Sequence, residues 1–141
     1  DFIDSWGSFG SGNGQFSDPE GIAVNGGNDV YVVDKQNHRI QRFNASGNFI
    51  ASWGSNGSGN GQFIDPVGIA INGANQIYVT DKGNSRIQRF TASGDFIDSW
   101  GSFGSGNGQF SDPQGIAVNG GNDVYVVDKQ NHRIQRFSRW R

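Results

Sequence analysis

Cysteine is absent from the sequence, which excludes disulfides, thiolate nucleophiles and cysteine-held metal, and leaves the redox compartment unmarked. Methionine is absent as well, and on that ground the 141 residues read as a chain that has lost a tag, a leader or the rest of a longer polypeptide. Histidine occurs only at His38 and His132. No run nears the roughly 18 apolar residues of a spanning helix, and no segment has the charged-then-apolar layout of a secretory leader. The chain is therefore expected to be soluble, with no membrane partner and no compartment address. A formal net charge of −2 removes any whole-molecule attraction to nucleic acid or an anionic membrane, so only a local basic patch could serve there. Helical periodicity is missing throughout.

What is present is glycine, at 23 residues, and a 13% share of aromatics within an apolar share of only 33%. That is high turn content carried by a few large anchors, which suits many short strands. The anchors recur. Trp53 follows Trp6 by 47 positions and Trp100 follows Trp53 by the same 47, and a fixed period of roughly 40 to 50 residues marks a propeller or another repeat array. Each period opens on a glycine-rich connector (Gly7 to Gly21 in the first), in which Asp18-Pro19 nucleates a turn. The connector lacks the following Lys-Ser/Thr or helix start that phosphate binding requires, so it reads as structural. Ile22-Ala-Val24 is a short strand and Val30-Tyr-Val-Val33 a clear one. After the polar turn Asp34 to His38, Arg39-Ile-Gln-Arg-Phe43 alternates as a strand with one wet face, and Phe49-Ile-Ala-Ser-Trp53 is a fourth. Four strands per period joined by tight turns describe one blade of an all-β propeller.

The second period keeps this order with substitutions such as Asn56, Ile64, Val67, Gly83 and Ser85. The third matches the first except for Gln114 in place of Glu20, and stops after Phe137 with Ser138-Arg-Trp-Arg141 on the turn that precedes the fourth strand. That missing strand stands at the other end, where Asp1 to Trp6 repeats Asp95 to Trp100 letter for letter. The expected organisation is one half-propeller over residues 1–141: a fourth strand at 1–6, blade one at 7–53, blade two at 54–100, and at 101–141 a blade without its fourth strand.

Pro-x-Gly-Ile-Ala-Val, Val-Tyr-Val-Val-Asp and Asp-Lys-Gln-Asn-His-Arg-Ile-Gln-Arg-Phe resemble the NHL repeat, and Trp-Gly-Ser-x-Gly-Ser-Gly-Asn-Gly-Gln-Phe is similar to the linker of many bacterial and archaeal members. The resemblance covers the whole chain. It implies a propeller, usually six-bladed, whose first strand lines a central channel and whose ring is closed by mixing N- and C-terminal strands in one sheet. The chain departs from the family in having three repeats, and in repeats so alike that they read as recent duplication, consensus reconstruction or design.

Three blades of a six-blade geometry leave two flanks and one strand edge open, and such edges invite pairing. The expected closure is a homodimer in which Asp1, Phe2, Ile3, Asp4, Ser5 and Trp6 of each copy pair with Arg133, Ile134, Gln135, Arg136 and Phe137 of the other. Because head meets tail, a rotation that fails to close grows a filament instead.

For sites, the two histidines lie in turns and lack the partners that a metal or a triad needs, so no cofactor, no metal and no enzymatic activity are expected. The amidating lyases among NHL-like propellers are metal enzymes, and this chain has no histidine set to match them. Asp34 with Arg39, Asp81 with Arg86 and Asp128 with Arg133 bracket equivalent turns, where the carboxylate is expected to brace the hairpin by about a kcal/mol at most if exposed. The sharper reading sets Lys35, His38, Arg39, Lys82, Arg86, Lys129, His132 and Arg133 on one rim able to meet phosphate or an acidic partner, partly cancelled by Asp18, Glu20, Asp65 and Asp112. Phe9 and Phe103 stand among glycines on that rim and are candidate adhesive residues. Glu20, Val67 and Gln114, between Pro and Gly of the first strand, are the candidate channel mouth. The function expected is a self-assembling scaffold for a protein or glycan ligand, or one made to test propeller assembly; the alternative is single-stranded RNA or polyanion binding by the rim, with nucleic acid the less favoured partner.

Overall fold

The computed structural model describes residues 1–138, so the expected turn at 138–141 lies mostly outside the described residues. Among the described residues, eleven strands form three antiparallel sheets. The first sheet has the order β1 (Pro19–Val24), β2 (Val30–Asp34), β3 (Arg39–Phe43), β4 (Phe49–Trp53). The second repeats it with β5 (Pro66–Ile71), β6 (Ile77–Asp81), β7 (Arg86–Phe90) and β8 (Phe96–Trp100). The third has β9 (Pro113–Val118), β10 (Asp123–Asp128) and β11 (Arg133–Ser138). No described helix is long and apolar enough to cross a membrane.

Local chemistry sets the turns. The Asn25 side-chain oxygen accepts the N–H groups of Gly27 and Asp29, both at 2.9 Å, and Asn28 takes a left-handed φ of 67° that closes β1 onto β2. Between β2 and β3 the chain makes one 3-10 turn over Lys35–Asn37 and leaves it through His38 at a φ of 53°. The first strand starts three residues before the expected Ile22. Pro19 already pairs with Asp34, and the register then skips to Ile22 against Val32, so Glu20 and Gly21 form a bulge. The same bulge recurs after Pro66 and Pro113.

Sheets pack face to face through two apolar cores. Tyr31, Val33 and Ile40 of the first meet Ile69, Val79 and Phe90 of the second with Phe63 of the connector, and Tyr78 and Ile87 of the second meet Val124 and Val126 of the third with Phe110 of the next connector. Close approach depends on glycine: a Cβ on Gly21 would lie 2.5 Å from the Val67 carbonyl oxygen, and one on Gly68 equally close to that of Gln114. Each tryptophan then spans a junction. Trp53 stands 6.3 Å from Tyr31 in its own sheet and 5.6 Å from Phe90 in the next, and Trp100 is placed likewise at 6.4 Å from Tyr78 and 5.6 Å from Phe137.

Residues 1–8 belong to no strand, although 1–6 carry the sequence of β8. The physical reason is the missing partner edge: β8 forms because β7 lies beside it, and among the described residues no third strand lies beside 1–6. Trp6 nonetheless docks, 5.9 Å from Phe43 and over Gly47, as Trp53 docks over Gly94. Trp53→Ala, which empties a two-sided junction, is expected to cost about 3–5 kcal/mol in denaturant unfolding. Trp6→Ala, which removes contact with one sheet only, is expected to cost clearly less in the same measurement on the unassociated chain.

Candidate functional site

The polar centre of every repeat is a buried carboxylate. Asp34 is fully buried and takes hydrogen bonds from the Ser17 N–H at 2.8 Å on one oxygen, and on the other from Asn37 Nδ2 at 2.9 Å, Arg39 Nε at 2.7 Å and Gln41 Nε2 at 3.2 Å. Asp81 and Asp128 are surrounded in the same way. The expected pairing of this carboxylate with its arginine is present, and it is made out of water: the side chain closes β2 and faces inward under the glycine loop. Its ligands hold that loop in turn. Arg39 donates to the carbonyls of Ser11, Gly12 and Gln15, Asn37 to that of Gly10, and Gln41 to that of Gln15 while accepting the Gly14 N–H.

The candidate rim residues divide. Arg39, Arg86 and Arg133 are committed to carboxylate and loop carbonyls and are not free cations. Lys35 faces Asp18 at 3.8 Å, while Lys82 and Lys129 both face Asp112, at 3.5 and 3.8 Å. Burial would raise the Asp112 carboxyl, but the Gln114 amide and the two lysines outweigh it and hold it below the usual range. His38 is half-buried with Nδ1 enclosed and unpartnered, and His132 is exposed. Among the described residues no group of three or more His, Cys, Asp or Glu could hold a metal ion. Phe9 and Phe103 stand out at 85% and 75% exposed on rigidly braced loops, with Asn56 at the equivalent place.

Glu20, Val67 and Gln114 come together. They line one open cavity of about 310 Å³ with the bulge glycines Gly21, Gly68 and Gly115.

The largest differences between repeats lie on the two outer flanks. Ile40 and Ile87 are fully buried whereas Ile134 is 62% exposed; Ile69 is 7% exposed whereas Ile22 is 64%. Val127 and Val24 are likewise open. An apolar cavity of about 410 Å³ lies on the first flank between Trp6, Phe16, Ile22 and Val32, and one of about 260 Å³ on the other beside Tyr125, Val127 and Ile134. One ion pair has no counterpart in the sequence reading. Arg89 meets Asp98 of the edge strand β8 at 2.9 Å, whereas Arg42, opposite Ala51, turns to Asp29 in the turn before β2, where the second repeat has Gln76. The substitution of Asp98 for Ala51 between otherwise similar fourth strands was the available signal.

A family model described as the NHL repeat matches residues 16–43, 63–90 and 110–137. Among known proteins, the B-box type zinc finger protein ncl-1 of Caenorhabditis elegans is 52% identical over 44 residues, which is 31% of this chain and 5% of that protein. In structure, an auxiliary nutrient binding protein from Bacteroides thetaiotaomicron superposes with a TM-score of 0.63 at 19% identity, over 82% of this chain and 36% of that one. Virginiamycin B lyase from Staphylococcus aureus does so with 0.58 at 20% identity, over 85% of this chain and 41% of that one. At these identities the two structures share the fold alone, and all three proteins extend far beyond the matched part.

Burial raises the Asp128 carboxyl, but the Ser111 N–H, Asn131 and Arg133 outweigh it and hold it below its ordinary range. A group so depressed stabilises the fold above its unfolded value of about 3.9, and that contribution is lost as pH falls through the folded value. The denaturant midpoint is therefore expected to show no loss from this group between pH 8 and 5 and to fall below about pH 4, with a shallower acid slope in Asp128→Asn.

Proposed function

Because the chain belongs to the NHL-repeat family and folds as part of a β-propeller, we propose that it is a non-enzymatic interaction scaffold whose 141-residue chain closes into a ring with a second copy by strand exchange. The observation that carries this reading is the contrast between inner and outer junctions. The residue types that fill the two internal junctions lie bare on the outer flanks, Val127 and Ile134 beside a half-buried Tyr125 on one and Ile22 and Val24 on the other. Burying apolar area of this kind drives association at about 25 cal/mol per Å² before the costs of ordering and immobilisation.

The internal junctions supply the geometry of the outer one. Across the first, the Tyr31 hydroxyl and Arg42 both donate to the Ala92 carbonyl at 3.1 Å; Tyr125 and Arg136 are the equivalent donors, and the Ala45 carbonyl of a second copy is the equivalent acceptor. The register of β7 with β8 sets Asp4 against Arg136, Ser5 against Gln135 and Trp6 against Ile134. Trp6 already occupies its half of such a junction. With the six blades implied by the family, two chains complete the ring; any other blade angle changes the number of chains or opens a filament. RNA binding by the rim has little free charge behind it, since the three turn arginines are engaged, and no shift of random single-stranded RNA is expected even at low salt.

Gly115→Ala tests the closure. Within one chain a Cβ there meets only Val127 Cγ2 at 3.6 Å, so monomer unfolding is expected to change little. In a closed junction it would meet the Glu20 carbonyl of the second copy, as Gly21 and Gly68 would meet Val67 and Gln114, and the dimer is expected to weaken about tenfold or more. Removal of residues 1–6 is expected to leave single chains by light scattering. A wild-type chain that stays single and well folded at high concentration would sink the proposal.

A further inference from the structure

We propose that the outer edge of β11 is a receptor for an extended peptide from another chain, with the pattern aromatic-x-Asp-x-Trp-Gly, and that Arg136 reads the acidic position. The inference rests on the blade reading above and goes beyond the closed ring, because it assigns the recognition to six residues rather than to a whole copy.

The two complete sheets show how such an edge is read. A fourth strand supplies a main-chain ladder to the third, and three of its side chains meet fixed partners. Phe49 and Phe96 lie 6.1 Å from Phe43 and Phe90, edge to face. Trp53 and Trp100 pair with Ile40 and Ile87 and set their rings against Tyr31 and Tyr78. Between them Asp98 takes Arg89 Nε at 3.0 Å and its second nitrogen at 2.9 Å, a two-point contact that a neutral residue cannot make. In the first sheet the edge strand offers Ala51, and Arg42 is held by Asp29 through Nε at 3.0 Å instead. The second sheet has Gln76 in place of Asp29, so each arginine takes the one carboxylate its sheet offers, internal in the first and brought by the edge strand in the second.

The third sheet presents the same acceptors, and among the described residues no strand lies beside them. Phe137, Ile134 and Tyr125 stand where Phe90, Ile87 and Tyr78 stand, and Ile134 is open to solvent. Arg136 has an exposed side chain, and Asp123 approaches its Nε only to 3.9 Å, against 2.9 Å for Arg89 to Asp98. Its guanidinium, which also meets the Tyr125 side chain, is thus held more loosely than Arg42 is by Asp29 and stays open to a carboxylate arriving on an edge strand. Residues 2–7 of the chain itself, Phe-Ile-Asp-Ser-Trp-Gly, carry the full pattern. A free peptide gains the ladder and the three side-chain contacts but not the flank packing of a whole copy. It binds more weakly than ring closure and competes with it.

The test uses two full-length variants that cannot place their own strand favourably, Asp4→Arg and Arg136→Asp, and a labelled peptide Asp-Phe-Ile-Asp-Ser-Trp-Gly-Ser followed by fluorescence anisotropy. The Asp4→Arg chain is expected to bind this peptide about tenfold more tightly than one with arginine at the fourth position, and the Arg136→Asp chain to show the reverse order. Binding without that inversion overturns the reading by Arg136. If neither peptide binds while the wild-type chain dimerises, the peptide receptor falls and the ring stands; if peptide binds and the wild type stays single, the ring falls and the receptor stands.

Discussion

Everything above the level of a single hairpin depends on a carboxylate removed from water. Asp34, Asp81 and Asp128 each receive a backbone N–H from the connector and side-chain donors from β3, β7 or β11. A charge so placed is tolerable only while every donor stays, because a buried ion left without partners costs several kcal/mol. The arginine that neutralises it spends its remaining donors on loop carbonyls. A stretch rich in glycine is held in one shape by an ion pair beneath it, and that shape delivers the chain from one sheet to the next at a spacing fit for glycine-to-carbonyl contact.

The strands were legible in the sequence because their causes are local. Val30-Tyr-Val-Val33 and Arg39-Ile-Gln-Arg-Phe43 carry β-branched and aromatic residues between asparagine and glycine turns, and they fold where the pattern puts them. Burial is not local, and there the reading fell short. Nothing beside Asp34 in the chain reveals that Ser17, seventeen positions earlier, covers it, so its pairing with Arg39 was legible and its burial was not. The recurrence of Gln41, Gln88 and Gln135 in otherwise alternating strands was the trace it left, since each glutamine serves the same carboxylate. Glu20, Val67 and Gln114 were legible as a set because repeats place equivalent residues about one axis, while the bulge that turns them toward the cavity was hidden in the pairing register.

Near-identical repeats make the molecule its own control. Ile40, Ile87 and Ile134 share sequence context and strand position, and they differ in whether a further sheet or strand covers them. The difference in their exposure is the effect of neighbours alone, free of sequence.

Trp6 has a kinetic meaning as well as a geometric one. Strand exchange between folded proteins is ordinarily slow because the donated element must first be torn from its own fold. Here residues 1–5 belong to no strand, while Trp6 after them is pinned against Phe43 and Gly47. In the proposed ring, such an arm is free of strand pairing before its acceptor arrives and tethered where it must land, so its exchange is limited by encounter rather than by unfolding and is governed by protein concentration rather than by temperature.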